Sequence, residues 1–191
     1  MNRFRLYLLK KENVSFYRLI RFVFAIIYSI QSATKRFKST YSLDVVHGQK
    51  AQDFSYLFRA SCVCIFFSFA AIEAFLNQTL PEHKLIDYKG KQVGKKTLEK
   101  ATFEEKISTI IPSILKKDFA DSNKNDYEVI LKLKNLRNRL VHLKQIRNGL
   151  TSYNDIYQDI LNANYNEIVA TTKNFLNFHH SGLIENYPLE K

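Results

Sequence analysis

An all-α fold, an up-and-down bundle of about five helices, is what the sequence predicts, and three observations predict it. Glycine and proline are scarce, at 5 and 3 of 191 residues, and chains rich in strands and tight turns consume both. Hydrophobic residues make up 46% of the chain, with 15 Phe and 11 Tyr, far more apolar area than a disordered chain carries. The apolar residues also recur at three- and four-residue steps, the helical period. At this length the simplest organisation is one domain over 1–191, with a basic helical segment over 1–49 and a core bundle over 50–178.

The first predicted helix covers about 14–33 and is rich in Phe, Ile and Tyr. Its longest apolar run, 22–28, is far shorter than the roughly 20 residues that cross a bilayer. It reads as an amphipathic helix on the domain or, in a competing reading, on a membrane surface. The second, about 52–80, carries the run 62–76, apolar nearly all round, and is expected to be the most buried helix. Pro81 marks its end. Residues 81–97 read as a basic loop with Gly90 and Gly94. The third helix, about 98–115, places Phe103, Ile107, Ile110 and Ile111 at helical spacing, with Pro112 expected to shorten it. A polar loop, 116–125, leads to the fourth helix, about 126–147, which Asn148-Gly149 terminates. The fifth spans about 153–178.

Charge is distributed unevenly. Residues 1–40 hold nine Lys/Arg against the single acid Glu12, and 129–150 hold six Lys/Arg and no acid. Two basic zones suit a polyanion, nucleic acid or an anionic membrane surface, although a solvated Lys-rich surface has the same composition. Cys62 and Cys64 are the only cysteines. Without a nearby Cys or His cluster they read as core residues in a reducing compartment, with no zinc site and no disulfide framework. The cytoplasm is the expected setting.

Three short motifs fail on their spacing. Gly90 and Gly94 have three residues between them, where a phosphate loop needs four and a preceding strand. From Asp121 a calcium loop would need Gly and Glu where Asp126 and Lys132 stand. His179-His180 lacks a third ligand and reads as a solvated tail. No metal or cofactor is expected.

One constellation remains, on the fourth helix. Val129, Leu133, Leu136, Leu140 and Leu143 form its apolar stripe. At about 100° per residue, Arg137 lies beside that stripe, with Asn138 and His142 together on another face and Arg139 flanking His142. Histidine gives or takes a proton near neutral pH, and the arginine fork matches phosphate oxygens. Spacing and chemistry alone are equally those of a basic exposed helix face.

Arg137-Asn138-x-x-x-His142 resembles the R-x4-6-H signature of the HEPN superfamily, including the polar residue that often follows the Arg. The run Ile72-Glu73-Ala-Phe-Leu-Asn77, then Thr97-Leu98-Glu99-Lys100, then the motif helix is similar to HEPN domains in order and spacing, over roughly 50–178. The resemblance implies a helical-bundle, metal-independent endoribonuclease of a toxin–antitoxin or phage-defence system. It would be a homodimer whose two motifs share a cleft, with RNA as substrate and an antitoxin or defence-system protein as partner. Arg137 and His142 would be the catalytic pair with Asn138 supporting them, leaving a 2′,3′-cyclic phosphate. Glu73 and Asn77 are four apart on the most apolar helix and are expected to support the site: a buried carboxylate needs a partner, for which Arg137 is a candidate, unless both residues sit at an exposed edge of that helix. Arg139, Lys144 and Arg147 would contact RNA. A catalytically silent HEPN-like module binding RNA, nucleotide or protein is the alternative. In HEPN toxins silenced by a nucleotidyltransferase partner a Tyr stands two residues after the His, where this chain has Lys144. A membrane is not an expected partner.

Overall fold

The computed structural model describes residues 49–142 and 154–184. The first predicted helix, Leu143, Lys144, Arg147 and the predicted Asn148-Gly149 stop lie outside them.

The described chain is predominantly helical. Helix α1 (Gln49–Thr79) is the central element, packing on helices α6 (Lys124–Val141), α7 (Asn154–Asn162) and α8 (Tyr165–His179). Its residues Ile65, Phe69, Ile72 and Leu76, spaced at four, three and four, are all within 4% of complete burial, as helical periodicity demands of a core-facing line. Over Leu57–Thr79 this helix is long and apolar enough to cross a membrane by length and composition, and 56% of its apolar window is buried within the fold. Cys64 joins the core and Cys62 is half-buried. Burial pushes the Cys64 thiol up to about 12, which leaves it without thiolate character at neutral pH.

The segment expected as a basic loop forms a small antiparallel hairpin instead, β1 (Ile86–Tyr88) with β2 (Lys91–Val93). Its two-residue turn places Lys89 at φ 55° and Gly90 at φ 73°, the left-handed pair that matches the twist of the flanking strands. Strands of three residues are too short to declare a period. A one-turn helix follows, α2 (Lys95–Leu98), which buries Leu98.

The predicted third helix is interrupted and then continues past its proline. Thr102 caps α3 (Phe103–Glu105) in a reciprocal capping box with Glu105, a Thr-x-x-Glu signal present in the sequence. Residues Lys106–Ile110 then widen into π-helix, with the Ile111 N–H reaching back to the Lys106 carbonyl. Two residues later Pro112 begins the turn of α4 (Ile111–Leu115). A proline ring clashes with the carbonyl four residues back and offers no N–H to it, so the wider turn lets the helix run on to Lys116, whose left-handed backbone closes it. Ile107, Ile110 and Ile111 are buried as the spacing required. Asp118 caps the short α5 (Phe119–Ser122) by accepting from the Asp121 N–H.

The predicted fifth helix is two. Asn164 accepts from the Glu167 N–H and starts α8 afresh after α7, because an asparagine side chain competes for backbone donors and favours a cap over a helix interior. The Tyr165 hydroxyl donates back to the Ile160 carbonyl and holds the two helices together.

His179 corrects a further expectation. It is not in a solvated tail: it is 9% exposed, within a cluster of Phe75, Phe119, Phe175 and Phe178. Neither of its ring nitrogens has a hydrogen-bond partner. Its neighbour His180 is exposed. Burial, aided by the Lys117 charge and opposed by Asp118, holds the imidazole down at about 4. In the unfolded chain it would titrate near 6.5. Above pH 6.5 the ring is neutral in both states; between 6.5 and 4 the unfolded chain takes up a proton that the folded one refuses. Stability is therefore expected to fall across that window by roughly 2 kcal/mol, allowing for solvent screening of a ring near the surface. His179→Phe is expected to remove this part of the slope. Urea titrations of both proteins at pH 7 and pH 4.5 measure it, and equal slopes would refute it.

Candidate functional site

The candidate site is carried by the last two turns of α6. Along this helix Ile130 and Leu133 are buried, while Val129, Leu136 and Leu140 pack on the core from its flank. The buried line therefore runs one step nearer Arg137 than the predicted stripe, because Ile130 belongs to it. Ile130, Leu133 and Arg137 follow at steps of three and four, so Arg137 continues the core-facing line where the core gives out.

Its side chain is held accordingly. The guanidinium lies over the Phe69 ring of α1, 5.2 Å from the centroid, and Phe69 stacks in turn on Phe103 of α3 at 5.0 Å. A guanidinium on an aromatic face gains from the ring quadrupole and keeps its in-plane donors free for other acceptors. One of those donors, Nη1, reaches Asn138 Oδ1 at 3.0 Å. The bond fixes the Asn138 amide with its NH₂ unused by Arg137.

His142 closes the helix. Its N–H donates to the Asn138 carbonyl at 2.9 Å, its backbone leaves the helical region at φ −108° and ψ 47°, and its side chain is exposed. The imidazole thus stands at the negative end of the helix dipole, open to solvent. Asn138 and His142 lie one above the other, four residues apart, whereas the Arg137 guanidinium is folded back against α1.

The supporting residues are used differently from expectation. Glu73 is half-buried on α1, one turn beyond Phe69, and makes no ion pair with Arg137. Asn77 serves another cation: its Oδ1 accepts from Lys106 Nζ at 2.7 Å, and the Glu99 carbonyl accepts a second bond from the same ammonium at 2.8 Å. Lys106 is 7% exposed, and nothing in its local sequence separates it from the chain's solvated lysines. Asn77→Ala is expected to cost about 2 kcal/mol, since it strips a buried ammonium of a partner. Urea denaturation reads this, and a loss below about 0.5 kcal/mol would contradict it.

Arg139 is engaged as well, in an exposed ion pair with Asp159 of α7. Lys134 pairs with Glu104 of α3. The helix carries no acid in its basic stretch, but the tertiary fold brings two acids to it. Among the described residues no group of three or more His, Cys, Asp or Glu is placed to hold a metal ion. An open surface hollow of about 460 Å³ is lined by residues from Asp121 to Asp126. It lies at the opposite end of α6, roughly 27 Å of helix from His142, and the Asp126 carboxylate there is taken by Thr171 and Asn174.

No protein-family model, curated protein or solved structure matches the chain.

Proposed function

We propose that this protein is a HEPN-like, metal-independent endoribonuclease of a toxin–antitoxin or phage-defence system, working in the cytoplasm with Arg137, Asn138 and His142 at its centre. One observation carries the reading. A guanidinium locked by an aromatic face and an amide stands within two turns of a solvent-open imidazole at the end of the same helix. That arrangement offers a fixed cation for a phosphate and, on the same helix, a solvent-open proton carrier.

In the proposed reaction the RNA 2′-oxygen bonds to the adjacent phosphorus and the bond to the 5′-oxygen breaks. The proton lost by the 2′-hydroxyl is matched by one delivered to the leaving 5′-oxygen, and His142 is the group that moves protons. Arg137 balances the extra charge on the pentavalent phosphorus. The products are a 2′,3′-cyclic phosphate and a free 5′-hydroxyl. Arg137 and His142 are five residues apart, about 140° around the helix, so one rigid helix aims them apart. A second copy of the chain facing the first would bring the two motifs to one cleft.

The test is cleavage of labelled RNA by the purified protein in excess EDTA, with end-group analysis of the products. Cyclic-phosphate ends formed without metal support the proposal. RNA binding with no cleavage between pH 5 and 9 would replace it with the silent binding module.

A further inference from the structure

Helix α6 carries a second cation, this one in line with Asn138 and His142. Lys134, Asn138 and His142 are spaced four and four, so they form one continuous row along the helix, each about 6 Å of rise from the next. A nucleic-acid strand laid along that row would meet a cation, an amide and an imidazole in turn. Arg139, by contrast, lies around the helix from Lys134 and is paired with Asp159 on another side.

Lys134 is oriented from outside its own helix. Its ammonium pairs with Glu104, and the two side chains are 23% and 41% exposed, so the pair sits at the rim, within reach of a ligand. Glu104 is on the first turn of α3, which the Thr102 capping box anchors. The next residue back, Phe103, stacks on the same Phe69 ring that supports Arg137. The two cations are thus registered against α3 by adjacent residues. Lys134 holds the Glu104 carboxyl below its usual range, so the acid remains charged at neutral pH. A rim ion pair of this kind contributes little net stability, which makes the carboxylate easily displaced by a phosphate.

We propose that Lys134 is a further RNA-contacting residue of this site, a phosphate-binding cation that Glu104 occupies until an RNA phosphate displaces it. The proposal rests on the ribonuclease reading for its substrate, and it adds an internal competitor: Glu104 stands where a phosphate would stand.

Binding of a fluorescent single-stranded oligouridine to the full chain, measured by anisotropy across a salt series, tests it. Lys134→Gln is expected to weaken binding about threefold to tenfold and to lower the salt slope by about one, as loss of a phosphate contact does. Lys134→Arg is expected to retain both. Glu104→Gln is expected to tighten binding about threefold at low salt by freeing the ammonium, and to lose that gain when combined with Lys134→Gln. A purely structural ion pair would instead change the melting temperature and leave affinity and slope untouched; that result, or a Glu104→Gln variant no tighter than the parent, overturns the proposal. A parent protein that binds but does not cleave, with these variant effects intact, overturns the nuclease reading alone. A parent protein that neither binds nor cleaves overturns both.

Discussion

His142→Ala is expected to reduce RNA cleavage by about 10²- to 10⁴-fold, the contribution of a positioned proton-transfer group, equivalent to roughly 3–5 kcal/mol of barrier. The melting temperature should stay where it is. The side chain is exposed and the helix is closed by the residue's backbone N–H, which alanine retains, and exposed substitutions of this kind stay within about 0.5 kcal/mol. Arg137→Ala should be as inactive, but it also loses the stacking on Phe69 and the bond to Asn138, so a fall of about 1 kcal/mol in stability should accompany it. The pair of measurements separates chemistry from scaffold: a folded, unchanged, inactive His142→Ala protein assigns the proton carrier. If that variant cleaves at the parent rate, the assignment fails whatever Arg137→Ala does.

The second large effect is on stability. Phe175 is completely buried on α8 and meets Phe119 at 5.0 Å, Phe75 at 5.7 Å and His179 at 4.9 Å, each ring edge-on. Phe175→Ala is expected to cost about 3–5 kcal/mol, the transfer term for the ring plus the cavity left between three helices, with the lost edge-to-face contacts included. Against a total of about 5–15 kcal/mol for a domain of this kind, that is a large share. The variant should also lose much of the acid sensitivity assigned to His179, because water reaching the cavity would solvate the imidazolium. A urea midpoint shift worth under about 2 kcal/mol would show that the aromatic cluster is not the joint between α1, α5 and α8 that its packing indicates.

These two sites differ in how readable they were. The Arg137–His142 segment depends on the spacing of neighbours on one helix, and spacing is written in the sequence. The cluster around His179 joins residues from Phe75 to His179, more than half the chain apart. No local pattern marks a histidine whose burial depends on rings supplied by other helices, and its position near the chain end suggested solvent instead. Lys106 was hidden for the same reason: the partners that make a buried ammonium tolerable are Asn77 and a carbonyl at Glu99.

Boundaries divide along the same line. Long apolar periodicity placed the C-terminal end of α1 and the N-terminal end of α6 within a few residues. The hairpin at 86–93, the π turn before Pro112 and the break at Asn164 are each local features of a few residues, too short to outweigh the helical pattern around them. Thr102 and Asn164 are of residue types that favour helix caps. What they terminate is settled only when the flanking helices pack.

The amino-acid order alone determined that this protein is mainly helical, that α1 is its most apolar helix, and that α6 carries its cations, an amide and an imidazole close together, because period and charge are properties of neighbours in the chain. Only the tertiary structure decided what those groups face. It set Arg137 on Phe69, left Glu73 without that arginine, gave Lys134 to Glu104 and Arg139 to Asp159, and enclosed His179 in rings. Each of these is a contact between helices distant in sequence, and its energy depends on burial and partner geometry that exist only once the bundle has closed.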